Sequence, residues 1–387
     1  MIYLDNNALT FIAPEVRQEI ETVLSCALGN PSSSHRFGQL SRALLVTALQ
    51  KIAGFLGIRP EELFFTSGAT EALNMVIEGF SPKGHVISSY LEHHAVLHSL
   101  QRLEKKGMPV TYLKGEQGFV DVEQIREVLR PETRLIVLMA VNNETGIKTD
   151  IAKIAAFAEA RGIAFIVDGV SLLGREAFTI PRGVSAMCFS SHKIHGPSGV
   201  GLVFIRKGVK VDALIVGGPQ QRGRRAGTEN LPGIMGLAKA FELINLSPDA
   251  AVRMKRLRDR LEEGILAQIP DVIIHGKEQE RICNVSNMAF LGIDGEMLLM
   301  RLDMKGVAVS LGAACATGGI EPSHVLLNMG VPLDIATSSL RFSLSRYTTE
   351  EEIEETIKIV CEEVSSLSTR GNPTIQYENS LKGILRH

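Results

Sequence analysis

The run Leu135-Ile136-Val137-Leu138-Met139 contains no polar position. A strand of that kind is buried on both faces, which is the habit of parallel sheets covered by helices rather than of sheets with one wet face. Short apolar runs recur at Leu63–Thr66, His85–Ser88, Val110–Leu113, Leu135–Val141, Ala164–Val167, Ala186–Phe189 and Gly201–Ile205. Between them lie amphipathic stretches over Ala69–Glu78, Ala95–Lys106, Val122–Leu129 and Ile151–Arg161. The alternation predicts βαβ units, hence an α/β fold with a mainly parallel central sheet flanked by helices.

After about Leu231 the pattern changes. A long charged helix over Ala250–Ile269 is followed by separate elements at Cys283–Phe290, Met297–Leu302, Leu340–Ser343 and Glu350–Leu367, which reads as a smaller α+β domain. The expected organisation is a segment 1–13 packing with the small domain, a large domain over 14–249, the small domain over 250–368 and a weakly anchored tail over 369–387. With 387 residues, 45% of them apolar, the chain has material for a large core. Its 41 basic and 43 acidic residues leave a formal charge of −2, so no global electrostatic case exists for nucleic acid or an anionic membrane as partner. No apolar run reaches membrane-spanning length and Met1–Asp5 lacks the pattern of a signal peptide, so a cytoplasmic location is expected. The five cysteines, at 26, 188, 283, 315 and 361, form no CxxC pair and fit reduced thiols better than a disulfide framework or a metal site.

Several residues stand where a parallel sheet puts chemistry. Ser67-Gly68-Ala69-Thr70-Glu71 joins a strand to a helix, a turn that either binds phosphate on free backbone N–H groups or simply caps a helix. Asp168 ends the run Ile163–Val167, where a carboxylate holds a protonated ring nitrogen or caps the next segment. Lys193, in Ser190-Ser191-His192-Lys193-Ile194-His195-Gly196-Pro197, is either a solvated lysine or an amine tuned for a Schiff base. His93 follows another strand and can stack on a planar ring or stand at a surface helix start. Arg224–Asn230 is a basic turn suited to an anion or to solvent, and Arg341 is a cation in an apolar strand, facing a substrate carboxylate or a structural acid. Gly312-Ala313-Ala314-Cys315-Ala316-Thr317-Gly318-Gly319 predicts a loop that carries a thiol, whereas Cys188 and Cys283 read as strand residues and Cys26 and Cys361 as helix residues. Strand-end acid, phosphate-type turn and hydroxyl-flanked lysine together make the parts of a pyridoxal 5'-phosphate site.

These motifs, with Gly29-Asn30-Pro31-Ser32, Ser34-His35-Arg36-Phe37-Gly38, Val141-Asn142-Asn143-Glu144-Thr145-Gly146, Ala226-Gly227-Thr228 and Arg341-Phe342-Ser343-Leu344, carry a resemblance over nearly the whole chain. The sequence is similar to the cysteine desulfurases of aminotransferase class V, in their bacterial iron–sulfur-assembly branch. The resemblance implies the pyridoxal-phosphate-dependent transferase fold, Lys193 as the Schiff-base lysine, Asp168 on the pyridinium nitrogen and His93 stacked on the ring, helping proton transfer. It places Ala69, Thr70, Ser190 and His192 on the phosphate, joined by Thr228 from the other subunit of a homodimer with shared sites. Asn143 would touch cofactor or substrate, Asn30 and Arg341 would serve the substrate, L-cysteine, and Cys315 would receive sulfur as a persulfide for an iron–sulfur scaffold or another acceptor. Ser171 stands where the family usually has a glutamine on the ring hydroxyl. Selenocysteine lyase, another lyase of the class, and a degenerate relative acting as an assembly or binding protein are the alternative readings.

Overall fold

The computed structural model describes residues 1–80, 84–245, 247–312 and 322–369. In chain order the elements begin with β1 (Ile2–Tyr3), α1 (Pro14–Ser25) and α2 (Arg36–Leu56). The sheet-forming region follows as β2 (Leu63–Thr66), α3 (Ala69–Gly79), β3 (His85–Ser89), α4 (His94–Lys105), β4 (Val110–Leu113), α5 (Val122–Glu127), β5 (Thr133–Met139), α6 (Ile151–Ala160), β6 (Ala164–Asp168), β7 (Ala186–Ser190) and β8 (Gly201–Ile205). Beyond it come α7 (Leu231–Asn245), α8 (Ala250–Leu266), β9 (Val272–Ile274), β10 (Val285–Phe290), α9 (Gly295–Met304), β11 (Val307–Ala308), α10 (His324–Asn328), α11 (Leu333–Thr337), β12 (Ser339–Ser343) and α12 (Glu350–Thr369).

The central sheet has seven strands in the order β2-β8-β7-β6-β5-β3-β4. Within it β8 runs against the others, pairing antiparallel with both β2 and β7. Alternate residues of the apolar strands feed two separate cores. Ile136, Leu138, Phe165, Val167, Met187 and Phe189 pack on one face with α1, α2, α6 and α7. Leu135, Val137, Ile166, Ala186 and Cys188 pack on the other with α3 and α4. Burial on both faces is what the unbroken apolar runs require.

The antiparallel sheet β12-β10-β9 and the helices α8, α9 and α12 enclose a third core, which includes Leu257, Leu261, Phe290, Phe342 and Ile357. β1 pairs in parallel with β11, placing the chain start against this smaller half. From there residues 4–13 run across to the large sheet. Ser343 N donates to Leu4 O at 2.6 Å, while Thr10 N and Ala13 N donate to the carbonyls of His192 and His195 at 2.9 and 3.0 Å.

Differences from the expected elements have local causes. The helix expected from Met297 starts at Gly295, because Asp294 caps it by accepting from Met297 N at 2.8 Å. Apart from the helical reading of Cys26, no bounds were expected for α1 and α2, whose buried faces are narrow. Cys26 is the residue that closes α1 and Cys283 lies just ahead of β10, so neither sits inside the element expected for it. The tail beyond Thr369 lies outside the described residues. Among those described, no helix is long and apolar enough to cross a membrane.

Two glycines test the packing in opposite directions. A Cβ on Gly201 would sit 2.6 Å from the Gly68 backbone, so Gly201→Ala is expected to destabilise by about 1–3 kcal/mol. A Cβ on Gly54, exposed near the end of α2, meets nothing within 4 Å, so Gly54→Ala is expected to stabilise by about 0.5–1 kcal/mol. Urea denaturation of the two variants checks both signs.

Candidate active site

β2, β3, β6 and β7 share a direction, so Thr66, Ser89, Asp168 and Ser190 end at one edge of the sheet. Open α/β sheets bind ligands at that carboxyl edge. A cavity of about 590 Å³ lies there, lined by Asn7, Gly68, Ala69, Thr70, His93, Asn143, Asp168, Ser171, Ser190, His192, Lys193, Gly312 and Arg341 among others. That volume suits a cofactor with its substrate. A larger cleft of about 790 Å³, lined by Lys148, Glu176 and Glu280 among others, contains none of these strand-end groups.

Gly68 precedes α3 without a side-chain cap on the helix. The first backbone N–H groups of α3 are therefore left to whatever anion enters, and a helix start favours one electrostatically. Ser190 Oγ and His192 Nδ1 bond each other at 2.9 Å beside that turn. A Cβ on Gly68 would meet only Ser190 Oγ, at 4.0 Å, which leaves room for a phosphate-sized group.

Asp168 is buried, and Oδ1 accepts from Val170 N at 3.0 Å. Burial pushes its carboxyl up to about 6, against the Val170 hydrogen bond and the attraction of the Lys193 ammonium. A buried acid so placed gains from a cationic ring nitrogen. Lys193 Nζ donates to the carbonyls of Asn7 and Ala8 at 2.5 and 2.7 Å, so the N-terminal segment fixes the amine at the cavity. His195, two residues on, sits at φ +67 in the turn that aims Lys193 and bonds the Thr10 hydroxyl and the Phe11 carbonyl.

His93 caps α4 by accepting from Ala95 N on Nδ1 at 3.1 Å. Burial, aided by the Lys193 charge, holds it down to about 4, so the ring is neutral near pH 7. With Nδ1 accepting, the neutral ring carries its hydrogen on Nε2. It can donate at once; to accept a proton it must first give up the cap.

Arg341 brings the smaller half into the cavity. Its Nη1 donates to the carbonyls of Asn143 and Gly312, each at 3.2 Å, and Nη2 to Asp5 Oδ1 at 2.9 Å. Among the described residues its buried Nε has no hydrogen-bond partner. An unsatisfied buried donor on a guanidinium is costly unless an anion comes to it.

Ala69, Thr70, His93, Asn143, Asp168, Ser171, Ser190, His192, Lys193 and Arg341 therefore meet at one cavity, and Asn30 and Thr228 do not. Asn30 is exposed, its side chain turned back to accept from Ser32 N at 2.9 Å. Thr228 lines a small adjoining cavity with Gln221 and Arg225, behind the Ser67 turn of its own chain. Cys315 lies outside the described residues, although Gly312, three positions before it, is at the cavity wall. No site role was expected for Asn7 and Ala8, which act through backbone carbonyls, or for Asp5, which meets Arg341 through the β12 register.

Carboxylate, amine, unshielded helix start and a guanidinium nitrogen with no partner among the described residues match the ring nitrogen, aldehyde, phosphate and substrate carboxylate of a pyridoxal-phosphate site. The chain belongs to the aminotransferase class-V family, whose model matches residues 2–356. It is 42% identical over 375 residues to a cysteine desulfurase of Trichormus azollae, covering 95% of this chain and 94% of that one. To cysteine desulfurase IscS of Dictyoglomus turgidum it is 40% identical over 376 residues, covering 95% of each. A solved NifS-like protein superposes with a TM-score of 0.88 at 34% identity, covering 95% of this chain and 100% of the other.

The buried rings make folding pH-dependent. Burial, with the Arg346 charge, holds His195 down to about 3. The unfolded chain takes a proton on this ring near pH 6.5 and the folded chain only near 3, so the stability is complete above 6.5 and is lost as pH falls. Asp168 opposes this, since its contribution is lost as pH rises through 6. Between pH 7 and 5 His195 alone accounts for a loss of about 2 kcal/mol. Urea midpoints at the two pH values check this; His195→Asn, which tolerates the positive φ, is expected to show a smaller fall.

Proposed function

We infer that this chain is a pyridoxal-phosphate-dependent cysteine desulfurase that converts L-cysteine to L-alanine and passes the sulfur to Cys315. The observation that carries the reading is the convergence of Lys193, Asp168, the α3 start and Arg341 on a cavity whose wall includes Gly312. Pyridoxal phosphate, when bound, supplies an electron sink for bond breaking at an amino acid.

The protein's own groups supply the rest. The α3 N–H groups, Ser190 and His192 would hold the phosphate, and Asp168 would supply the buried negative charge that keeps a ring nitrogen protonated. Lys193 would supply the amine for the cofactor aldehyde and would move protons at the substrate carbon. Arg341 would bind the substrate carboxylate, using the nitrogen that has no partner among the described residues. The Cys315 thiolate attacks the substrate sulfur. A sulfur–sulfur bond forms, the carbon–sulfur bond breaks with its electrons staying on carbon, and carbon takes a proton to give alanine. Three residues of chain allow Cys315 to stand at most about 11 Å from Gly312, within reach of the cavity.

In this reading residues 14–249 form the cofactor-binding domain, 250–368 the smaller domain, and the persulfide passes to an iron–sulfur scaffold or another sulfur acceptor. A homodimer accounts for Thr228, which would complete the partner's site. The run Leu214-Ile215-Val216 is exposed beside that turn, with Ile215 O accepting from Ala226 N at 3.1 Å, and a second copy would cover it. The four described cysteines are free, which supports a reducing, cytoplasmic setting.

Lys193→Ala is expected to lose the chromophore's covalent link, and Cys315→Ser to keep the chromophore and its response to L-cysteine while forming no alanine. Borohydride trapping with peptide mapping and an alanine assay check both. A label on another lysine, or full turnover without Cys315, would overturn the assignment. Mixing Thr228→Ala with Lys193→Ala subunits tests the shared site: exchange is expected to restore activity in part, and no recovery after verified exchange counts against it.

A further inference from the structure

We propose that Arg225 sets the affinity of the cavity for a phosphorylated cofactor, as a positioning residue that acts through Glu71 and cancels the carboxylate held at the α3 start. The basic turn Arg224–Asn230, suited by its sequence to an anion or to solvent, meets an acid of its own chain. Arg225 Nε donates to Glu71 Oε1 at 2.8 Å and Nη2 to Glu71 Oε2 at 3.3 Å, a forked pair in which both side chains are mostly buried. Glu71 stands in the first turn of α3, and its Oε2 also accepts from Ser67 N at 2.8 Å. The carboxylate thus fixes the turn Ser67–Glu71 from the helix side.

That service places a negative charge where an anion is wanted. Burial by itself would raise the Glu71 carboxyl, but the hydrogen bonds from Arg225 and Ser67 overcome burial and hold it below the usual carboxylate range, so it is ionised near pH 7. A phosphate carries about −1.5 to −2 at that pH. The helix start draws a phosphate and a first-turn carboxylate alike, so the two compete for one field. Glu71 lines the main cavity beside Gly68, Ala69 and Thr70, while Arg225 lines the small one behind the turn. His192 gives no compensation at this end, since burial, with the Lys193 charge, holds it down to about 4. Glu229, whose Oε1 accepts from Gln221 Nε2 at 3.2 Å, is a second acid in the small cavity. The charge balance behind the α3 start therefore turns on the Arg225 guanidinium.

The proposal rests on the reading that a cofactor phosphate lies at the α3 start. The full-length chain, stripped of cofactor and titrated with pyridoxal phosphate or with pyridoxal, gives both affinities from the absorbance of the bound chromophore. Arg225→Gln is expected to weaken pyridoxal phosphate by roughly 10–100-fold and pyridoxal by less than about twofold, the pattern of one unbalanced charge in a partly shielded site. The deficit should shrink in added salt, and Arg225→Lys should lie nearer to wild type than Arg225→Gln. Glu71→Gln keeps an acceptor for Ser67 and should not weaken the phosphorylated ligand. Combined with Arg225→Gln, it should bring the affinity back to within about threefold of wild type, the mark of two coupled residues. Equal losses for the two ligands, or no recovery in the double variant, would overturn the proposal, because a displaced turn or a displaced Thr228 gives those results. Wild-type affinity in Arg225→Gln would overturn it as well. A wild-type chain that binds pyridoxal as tightly as pyridoxal phosphate would instead overturn the reading on which it rests.

Discussion

Residues 4–13 connect the two halves of the molecule, and the geometry of the site hangs on that connection. At one end the segment bonds β12 through the carbonyl of Leu4. In its middle, Asn7 and Ala8 hold the Lys193 ammonium by their carbonyls, and Thr10 and Ala13 bond the turn that carries it. Asp5 of the same segment takes Arg341. A single stretch of backbone therefore sets the amine of the large half against the guanidinium of the small one. Backbone carbonyls suit this task, because their positions are fixed by the chain and do not depend on a rotamer.

The large sheet contributes direction rather than contact. Strands that share an orientation deliver Asp168 and Ser190 to the same edge, and helix α3 starts there with uncapped N–H groups. Burial then differentiates the titratable groups. It raises Asp168 to about 6 and lowers His93 and His192 to about 4. Near pH 7 the cavity holds a carboxylate facing an ammonium, with neutral imidazoles beside them. That charge pattern suits a phosphate at one end and a cationic nitrogen at the other.

Much of the fold was legible because the strands of a covered parallel sheet have no choice of face. β2, β4 and β8 fall where their apolar runs predict them. The strand-end positions of Asp168 and Ser190 followed from the same runs. The bounds of helices α1 and α2 were not legible; α1 buries only Val16 and Val23. Neither was the silence of Asn30, whose side chain satisfies its own turn instead of turning to the cavity.

The amino-acid sequence alone determined the α/β class, the apolar strands and the residue types that chemistry of this kind needs, because alternation and side-chain character are local properties. Tertiary structure alone decided which of those residues meet. Lys193 and Asn7 are 186 positions apart and Arg341 and Asp5 are 336 apart. Such pairs are made by strand register and by the path of one crossing segment. A chain carries no local record of either, since register is settled only when both partners are buried together.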